Sequence, residues 1–259
     1  MSIFSVDCKV SCIALNNDST QFAIGSFDEE ANIIACYDCP SMDRRDGFTL
    51  STDIQDMIYD RDSLLAIDLE GFLHTLRPDI SVKSEKIGRS LTRIALDEYI
   101  FIANELGDIY WSNDKVEFMN KKIDAYGIRS IHPFSDHNCL VAGSQLRVFD
   151  CRTEKAPILK NISANCIEIN SNQIFCGTDS SIVSFDLRNP GQVDTLDFGA
   201  SVLKSVDNTL IYVSKGELHI FNDGIHGESL LGNVTCVDIN QDSLIAGTSR
   251  GTVYRQKME

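Results

Sequence analysis

The sequence repeats one pattern along its whole length, and no other feature limits the possible folds as strongly. The pattern is an apolar segment, a short polar turn and a second apolar segment that ends near an aromatic residue, as in IFCGTDSSIVSFD. The first segments of the seven copies end at Gly25, Ile67, Ala103, Gly143, Gly177, Val213 and Gly247. Repeats of this kind bury their apolar faces against their neighbours. Seven copies in 259 residues, one per 37 on average, predict a single domain over residues 1–259.

Each copy is preceded by another short apolar segment. These segments lie at residues 10–15, 54–59, 91–96, 128–132, 166–169, 202–206 and 234–239. Short runs rich in Ile, Val and Leu, bounded by Asn, Asp, Ser and Gly, are typical of strands joined by hairpins. No segment has a sustained helical periodicity. The sequence therefore predicts an all-β fold, a seven-bladed β-propeller with one sheet per repeat.

The two ends of the chain are predicted to share a sheet. The last copy stops at Tyr254, which leaves the seventh sheet without its outer strand, and residues 2–6 form a strand with no partner of their own. Pairing the two removes a free edge that would otherwise invite aggregation.

Aromatic-acid pairs give the repeats a family resemblance. Tyr37-Asp38, Phe149-Asp150, Phe185-Asp186 and Phe221-Asn222 each end a second segment, in the place of the Trp-Asp pair that names the WD repeat. The chain thus resembles WD-repeat proteins over its whole length. Trp111 is its only tryptophan and the Gly-His pair that opens many WD repeats is missing, so the side-chain hydrogen-bond network of strong repeats is not carried over.

Particular repeats are similar to the family of the forty-three-kilodalton nucleoporin, a WD-repeat subunit of the nuclear pore outer ring, or Y-complex. The first repeat matches at Gly25, Ser26, Asp28, Glu30 and Asn32. Further matches lie at residues 55–57 and 65–66, and at 234–240 and 244–248 in the closing repeat. The chain is shorter than vertebrate members, so contacts made by their long loops are not transferred.

This resemblance implies a function and a location. It implies a structural scaffold in the nucleus, at the nuclear pore, that docks on a helical-solenoid nucleoporin. The implied roles are pore assembly, protein transport and mRNA transport, with attachment to the kinetochore in mitosis.

Two Asp-x-Arg boxes support an alternative. Asp150-Cys-Arg152 and Asp186-Leu-Arg188 follow the aromatic residue of successive repeats. They are similar to the box through which WD-repeat substrate receptors dock on the adaptor of cullin-four ubiquitin ligases, although such short motifs arise readily by chance. The plainer interpretation is that each arginine pairs with a neighbouring acid. The candidate protein-binding residues are therefore Asp28, Glu30, Arg152 and Arg188.

Catalytic, metal and cofactor sites are not predicted. Gly247-Thr-Ser-Arg-Gly251 fits a hydrolase elbow, but that chemistry needs a helix and a histidine after the serine, and neither follows. The Cys36-x-x-Cys39 pair has no second pair to complete a zinc site. The histidines are dispersed as His74, His132, His137, His219 and His226. An enzyme in the propeller's central channel would need converging polar groups, whereas the first strands look plainly apolar, as in Cys12-Ile13-Ala14-Leu15.

Charge and composition point to protein partners. Acids outnumber bases 38 to 23, a net charge of −15, which disfavours direct binding to nucleic acid. The sequence has neither a long apolar span nor a secretory signal, so we expect a protein of the cytosol or nucleus with free thiols and no membrane insertion. We also expect no small-molecule substrate.

Overall fold

The computed structural model describes residues 2–27, 31–39, 41–79, 81–207, 209–222, 225–226 and 231–258. Within these ranges the chain is built of strands without a helix. In chain order they are β1 (Ser2–Ser5), β2 (Lys9–Leu15), β3 (Gln21–Phe27), β4 (Asn32–Asp38), β5 (Arg44–Leu50), β6 (Ile54–Asp60), β7 (Ser63–Asp68), β8 (Phe72–Leu76), β9 (Val82–Lys86), β10 (Leu91–Leu96), β11 (Ile100–Asn104), β12 (Asp108–Ser112), β13 (Met119–Lys122), β14 (Ser130–Ser135), β15 (Asn138–Ala142), β16 (Leu146–Asp150), β17 (Ile158–Lys160), β18 (Cys166–Asn170), β19 (Gln173–Gly177), β20 (Ile182–Asp186), β21 (Asn189–Leu196), β22 (Val202–Val206), β23 (Thr209–Ser214), β24 (Glu217–Asn222), β25 (Ile225–His226), β26 (Val234–Ile239), β27 (Ser243–Thr248) and β28 (Thr252–Lys257).

The strands form seven four-stranded sheets in the described part of the chain, divided between two compact units. The first unit, Met1–Leu91 with Leu230–Glu259, holds the sheets β2-β3-β4-β5, β6-β7-β8-β9 and β1-β28-β27-β26. The second unit, Thr92–Ser229, holds β10-β11-β12-β13, β14-β15-β16-β17, β18-β19-β20-β21 and β22-β23-β24-β25. One sheet per repeat confirms the sequence prediction. That the whole chain is a single domain stays a prediction.

The predicted pairing of the chain ends is also confirmed. β1 pairs antiparallel with β28, from Ser2 opposite Arg255 to Ser5 opposite Thr252. Phe4 then packs against Tyr37, with ring centroids 5.0 Å apart. Burial of this aromatic side chain gives the short terminal strand a hydrophobic anchor in addition to its backbone hydrogen bonds.

Each unit has its own apolar clusters between neighbouring sheets. In the first unit, Phe22 stacks on Tyr37 at 5.2 Å. In the second, Trp111 meets Phe149 edge-on at 5.1 Å, and both are almost fully buried. β11 is buried at every position, since it lies inside its sheet and is covered on both faces. The sequence feature behind this is the continuous apolar run at residues 100–103.

Six of the seven predicted first strands lie within β2, β6, β10, β18, β22 and β26. The remaining one, the fourth along the chain, is displaced. The strand predicted at 128–132 runs instead from Ser130 to Ser135 as β14. Ile128 is buried, but it enters the core from the connection after Gly127, whose φ of +63° interrupts the extended backbone.

Candidate functional site

The two Asp-x-Arg boxes form the same turn in successive sheets of the second unit, at the ends of β16 and β20. In the first box the backbone N–H and Nε of Arg152 donate to Oδ1 of Asp150 at 2.9 and 3.3 Å. In the second, the same groups of Arg188 donate to Oδ1 of Asp186 at 2.7 and 3.0 Å. Each arginine Nη2 also reaches the other carboxylate oxygen, at 3.3 and 2.5 Å respectively. Each box is therefore a closed fork in which the arginine folds back on its own aspartate.

In each fork the aspartate and the arginine form an ion pair, and the arginine side chain is still exposed to solvent. The hydrogen bonds from Arg188 lower the pKa of Asp186 to about 2, and those from Arg152 lower the pKa of Asp150 in the same way. The side chains of the arginines are 60% and 73% exposed. A partner can thus reach both guanidinium groups, but it has to bind an arginine that is already engaged. This geometry agrees with the plainer interpretation of the boxes and leaves adaptor docking as a proposal.

The other two candidate residues, Asp28 and Glu30, lie outside the described residues. The hairpin that carries them is described up to Phe27 and from Ala31 onward, and Phe27 pairs with Asn32 across β3 and β4. Phe27 is 47% exposed. The part of the acidic hairpin that is described therefore has an exposed aromatic residue at its end.

Polar groups converge on the first strands of the second unit, where the sequence predicted plain apolar runs. Glu168 on β18 is 8% exposed and accepts hydrogen bonds from the backbone N–H and the hydroxyl of Ser205 on β22, at 3.2 and 3.1 Å. Nε2 of His132 on β14 lies 3.7 Å from its other oxygen. Burial raises the pKa of Glu168, while the charges of His132 and Lys204 and the bonds from Ser205 oppose that rise.

This cluster corrects the expectation of an apolar first strand, but it does not assemble a nucleophile. Ser205 donates to Glu168 and not to the imidazole, so the histidine does not activate the hydroxyl. The three residues are about one repeat apart in sequence, so no local pattern predicts that they meet.

A second polar network lies within the sheet β6–β9 of the first unit. Asp68 is 1% exposed and accepts hydrogen bonds from the backbone N–H groups of Gly71 and Phe72, both at 2.8 Å, and from the hydroxyl of Thr52. Nε2 of His74 lies 3.1 Å from the same carboxylate. Nδ1 of that imidazole is 2.8 Å from Oγ of Ser84 on β9.

This repeat thus has a side-chain hydrogen-bond network of its own, although the chain lacks the Trp-Asp and Gly-His pairs of strong WD repeats. The signal available in the sequence was an Asp in the β7–β8 turn with a His six residues later. Ser84, His74 and Asp68 are linked in the order of a hydrolytic triad. The Asp68 carboxylate nonetheless accepts hydrogen bonds from Thr52, Gly71 and Phe72. These bonds stabilise the β7–β8 turn, which is a structural role.

The remaining motifs behave as ordinary structure. Ser249 lies in the turn between β27 and β28, where its N–H donates to the carbonyl of Asn233. Among the described residues no group of three or more His, Cys, Asp or Glu is placed to hold a metal ion. All nine cysteines are free thiols, and burial raises the pKa of Cys166 and Cys176 to about 12. No helix in the described ranges is long and apolar enough to cross a membrane.

Comparison with known proteins identifies the fold. No protein-family model matches the sequence, and no curated protein does. A chain in the crystal structure of the mitotic checkpoint complex is similar, with a TM-score of 0.84 and 10% identity over 99% of this chain and 91% of that one. The fold is thus a seven-bladed β-propeller of the WD40 kind.

At 10% identity the likeness carries fold and nothing finer. Matches to 1174 chains of solved structures underline how widely this architecture is used. Function on such a fold has to be argued from sites.

Proposed function

We propose that the chain is a non-enzymatic scaffold that binds proteins, and more specifically a structural subunit of the outer ring of the nuclear pore. The observation that carries the scaffold proposal is the propeller fold itself, whose exposed turns and sheet edges offer binding surfaces. The finer assignment rests on the sequence resemblance at Gly25, Ser26 and Asn32 and in the closing repeat. Under this proposal the protein resides at the nuclear pore, docks on a helical-solenoid nucleoporin, supports protein and mRNA transport, and joins the kinetochore in mitosis.

The second candidate, a substrate receptor of a cullin-four ligase, is favoured by one observation. Arg152 and Arg188 occupy equivalent exposed turns of neighbouring sheets. A surface with two such positions suits an adaptor that contacts both.

Affinity purification of the tagged full-length chain from nuclear and cytosolic extracts, with mass spectrometry at moderate salt, distinguishes the candidates. Outer-ring nucleoporins retained by the wild type and by Arg152→Ala/Arg188→Ala support the pore assignment. Capture of a cullin-four adaptor that this variant loses, while Arg250→Ala/Lys257→Ala keeps it, supports the receptor instead. The control removes the same charge from two exposed positions outside the boxes.

The non-enzymatic part of the proposal has a direct test at Ser84. A fluorophosphonate probe labels serines that a histidine activates. We expect no labelling of the native protein, because the imidazole and carboxylate serve the β7–β8 turn. Stoichiometric labelling at Ser84 that disappears in His74→Gln would overturn the scaffold as the whole function.

A further inference from the structure

A cleft opens in the first unit between the outer strand of one sheet and the next sheet. Its volume is about 70 Å³. One side comes from β5, β4 and the start of β3, and the other from β6, β7, β8 and the turns after β6 and β8. The lining includes Cys36, Asp46, Phe48, Tyr59, Asp62 and Leu76.

The floor of the cleft holds a polar group without a proper partner. Tyr59 is 8% exposed, and its hydroxyl has no hydrogen-bonding nitrogen or oxygen among the described residues. Its polar neighbour is the thiol of Cys36, a weak hydrogen-bonding group. Burial raises the pKa of both, that of Cys36 to about 11, so the floor is neutral at physiological pH. A buried hydroxyl left unsatisfied is costly, so a ligand atom that bonds it gains more than the same bond gives at the surface.

Two carboxylates bring negative charge to the cleft. Asp46 lies directly opposite Cys36 in the β4–β5 register, which brings its charge to the floor, and Asp62 lies at the rim. No described cation forms an ion pair with either. Two arginines also line the cleft. Arg45 is 3.4 Å from Asp38, and Arg77 adds its charge to the hydrogen bonds from Ser81 that chiefly lower the pKa of Asp79.

Apolar walls complete the site. Phe48 offers an aromatic ring, and Leu64 and Leu76 are buried beside the floor. Such walls hold the aliphatic stem of a lysine while its ammonium binds acceptors beyond.

We propose that this cleft binds a lysine side chain of a basic protein partner, with Asp46 and the Tyr59 hydroxyl as acceptors and Phe48 and Leu76 around the stem. The net charge of −15 steers such a partner toward the protein. The inference rests on the scaffold proposal and names the chemistry of one of its contacts.

The test uses the full-length ¹⁵N-labelled protein and the capped pentapeptide Ac-Gly-Ser-Lys-Ser-Gly-NH₂. Counterpart peptides carry norleucine or glutamate in place of lysine. We expect the lysine peptide to give saturable amide shifts at Phe48, Tyr59 and Leu76, and the other two peptides to bind at least about tenfold more weakly.

Variants separate charge from structure. Tyr59→Phe keeps the ring and removes the hydroxyl, and we expect about fivefold weaker binding, the worth of about one hydrogen bond. Asp46→Asn keeps the shape and removes the charge, and we expect a similar or larger loss. Asp7→Asn removes the same charge from an exposed position outside the cleft, and we expect no change. Amide spectra that otherwise superpose on the wild type show that each variant is folded.

Tighter binding of the glutamate peptide, or equal lysine affinity in Asp46→Asn and Asp7→Asn, would refute the lysine assignment. If the lysine peptide causes no amide shifts at the cleft while the protein still captures partners from extract, this inference is refuted and the scaffold proposal is not. Failure to capture any partner, with lysine binding intact, counts against the scaffold proposal and not against the chemistry of the cleft.

Discussion

Replacing Asp68 with alanine tests how much one buried network contributes to the stability of the first unit. The carboxylate accepts from Phe72 N–H and Thr52 and contacts His74, and all of these lose that partner in Asp68→Ala. Gly71 N–H keeps a second acceptor, the backbone carbonyl of residue 68, at 3.2 Å. With two or three buried donors left unsatisfied at about 1–3 kcal/mol each, we expect the free energy of unfolding to fall by about 4 kcal/mol. In a chain of this size that corresponds to roughly a 10 °C drop in Tm.

Urea unfolding followed by circular dichroism measures the effect. Asp68→Asn retains one carbonyl oxygen for the turn amides and should lose less. Burial opposes ionisation of Asp68, but the bonds from His74, Thr52 and Phe72 outweigh it and lower its pKa below 3.8. The contribution is therefore present above that pH and is lost as the pH falls through the lower folded-state value. An Asp68→Ala protein with the same midpoint as the exposed control Asp79→Ala would refute the reasoning.

Three further changes probe other parts of the molecule. Phe4→Ala should lower stability by about 2 kcal/mol and speed hydrogen exchange along β28, whereas Ile3→Ala, at an exposed position, should not. Arg188→Ala should return the pKa of Asp186 from about 2 toward 3.8, as read from the carboxyl carbon shift in NMR; an unchanged value would exclude the fork. Glu168→Gln should flatten the pH dependence of the urea midpoint above pH 4.5. In the wild type the pKa of Glu168 is raised, so its contribution to stability is greatest below pH 4.5 and is lost as the pH rises. The charged groups that face Glu168 are His132 and Lys204. Parallel curves for the variant and the wild type would contradict this.

Much of the fold followed from local pattern. Apolar runs with turn residues between them located most first strands, because a strand needs only a short run and its flanking turns to be recognised. The shift of β14 was not predictable, since Ile128 is as apolar as a strand residue and only Gly127 at positive φ ends its extended path. The sequence predicted less of the candidate site than of the fold. The arginine forks follow from two-residue spacing, while the cleft at Tyr59 joins residues from six strands.

The sequence by itself determined the repeat number, the all-β class and the pairing of the chain ends, because each depends on periodicity and on which residues are apolar. Tertiary structure alone decided which polar side chains meet. Glu168 reaches Ser205 only because strands one repeat apart lie side by side, and the buried Tyr59 hydroxyl meets the Cys36 thiol only because neighbouring sheets pack together. Contacts of this kind depend on distance in space, which a linear pattern does not record, and the chemistry of this protein depends on them.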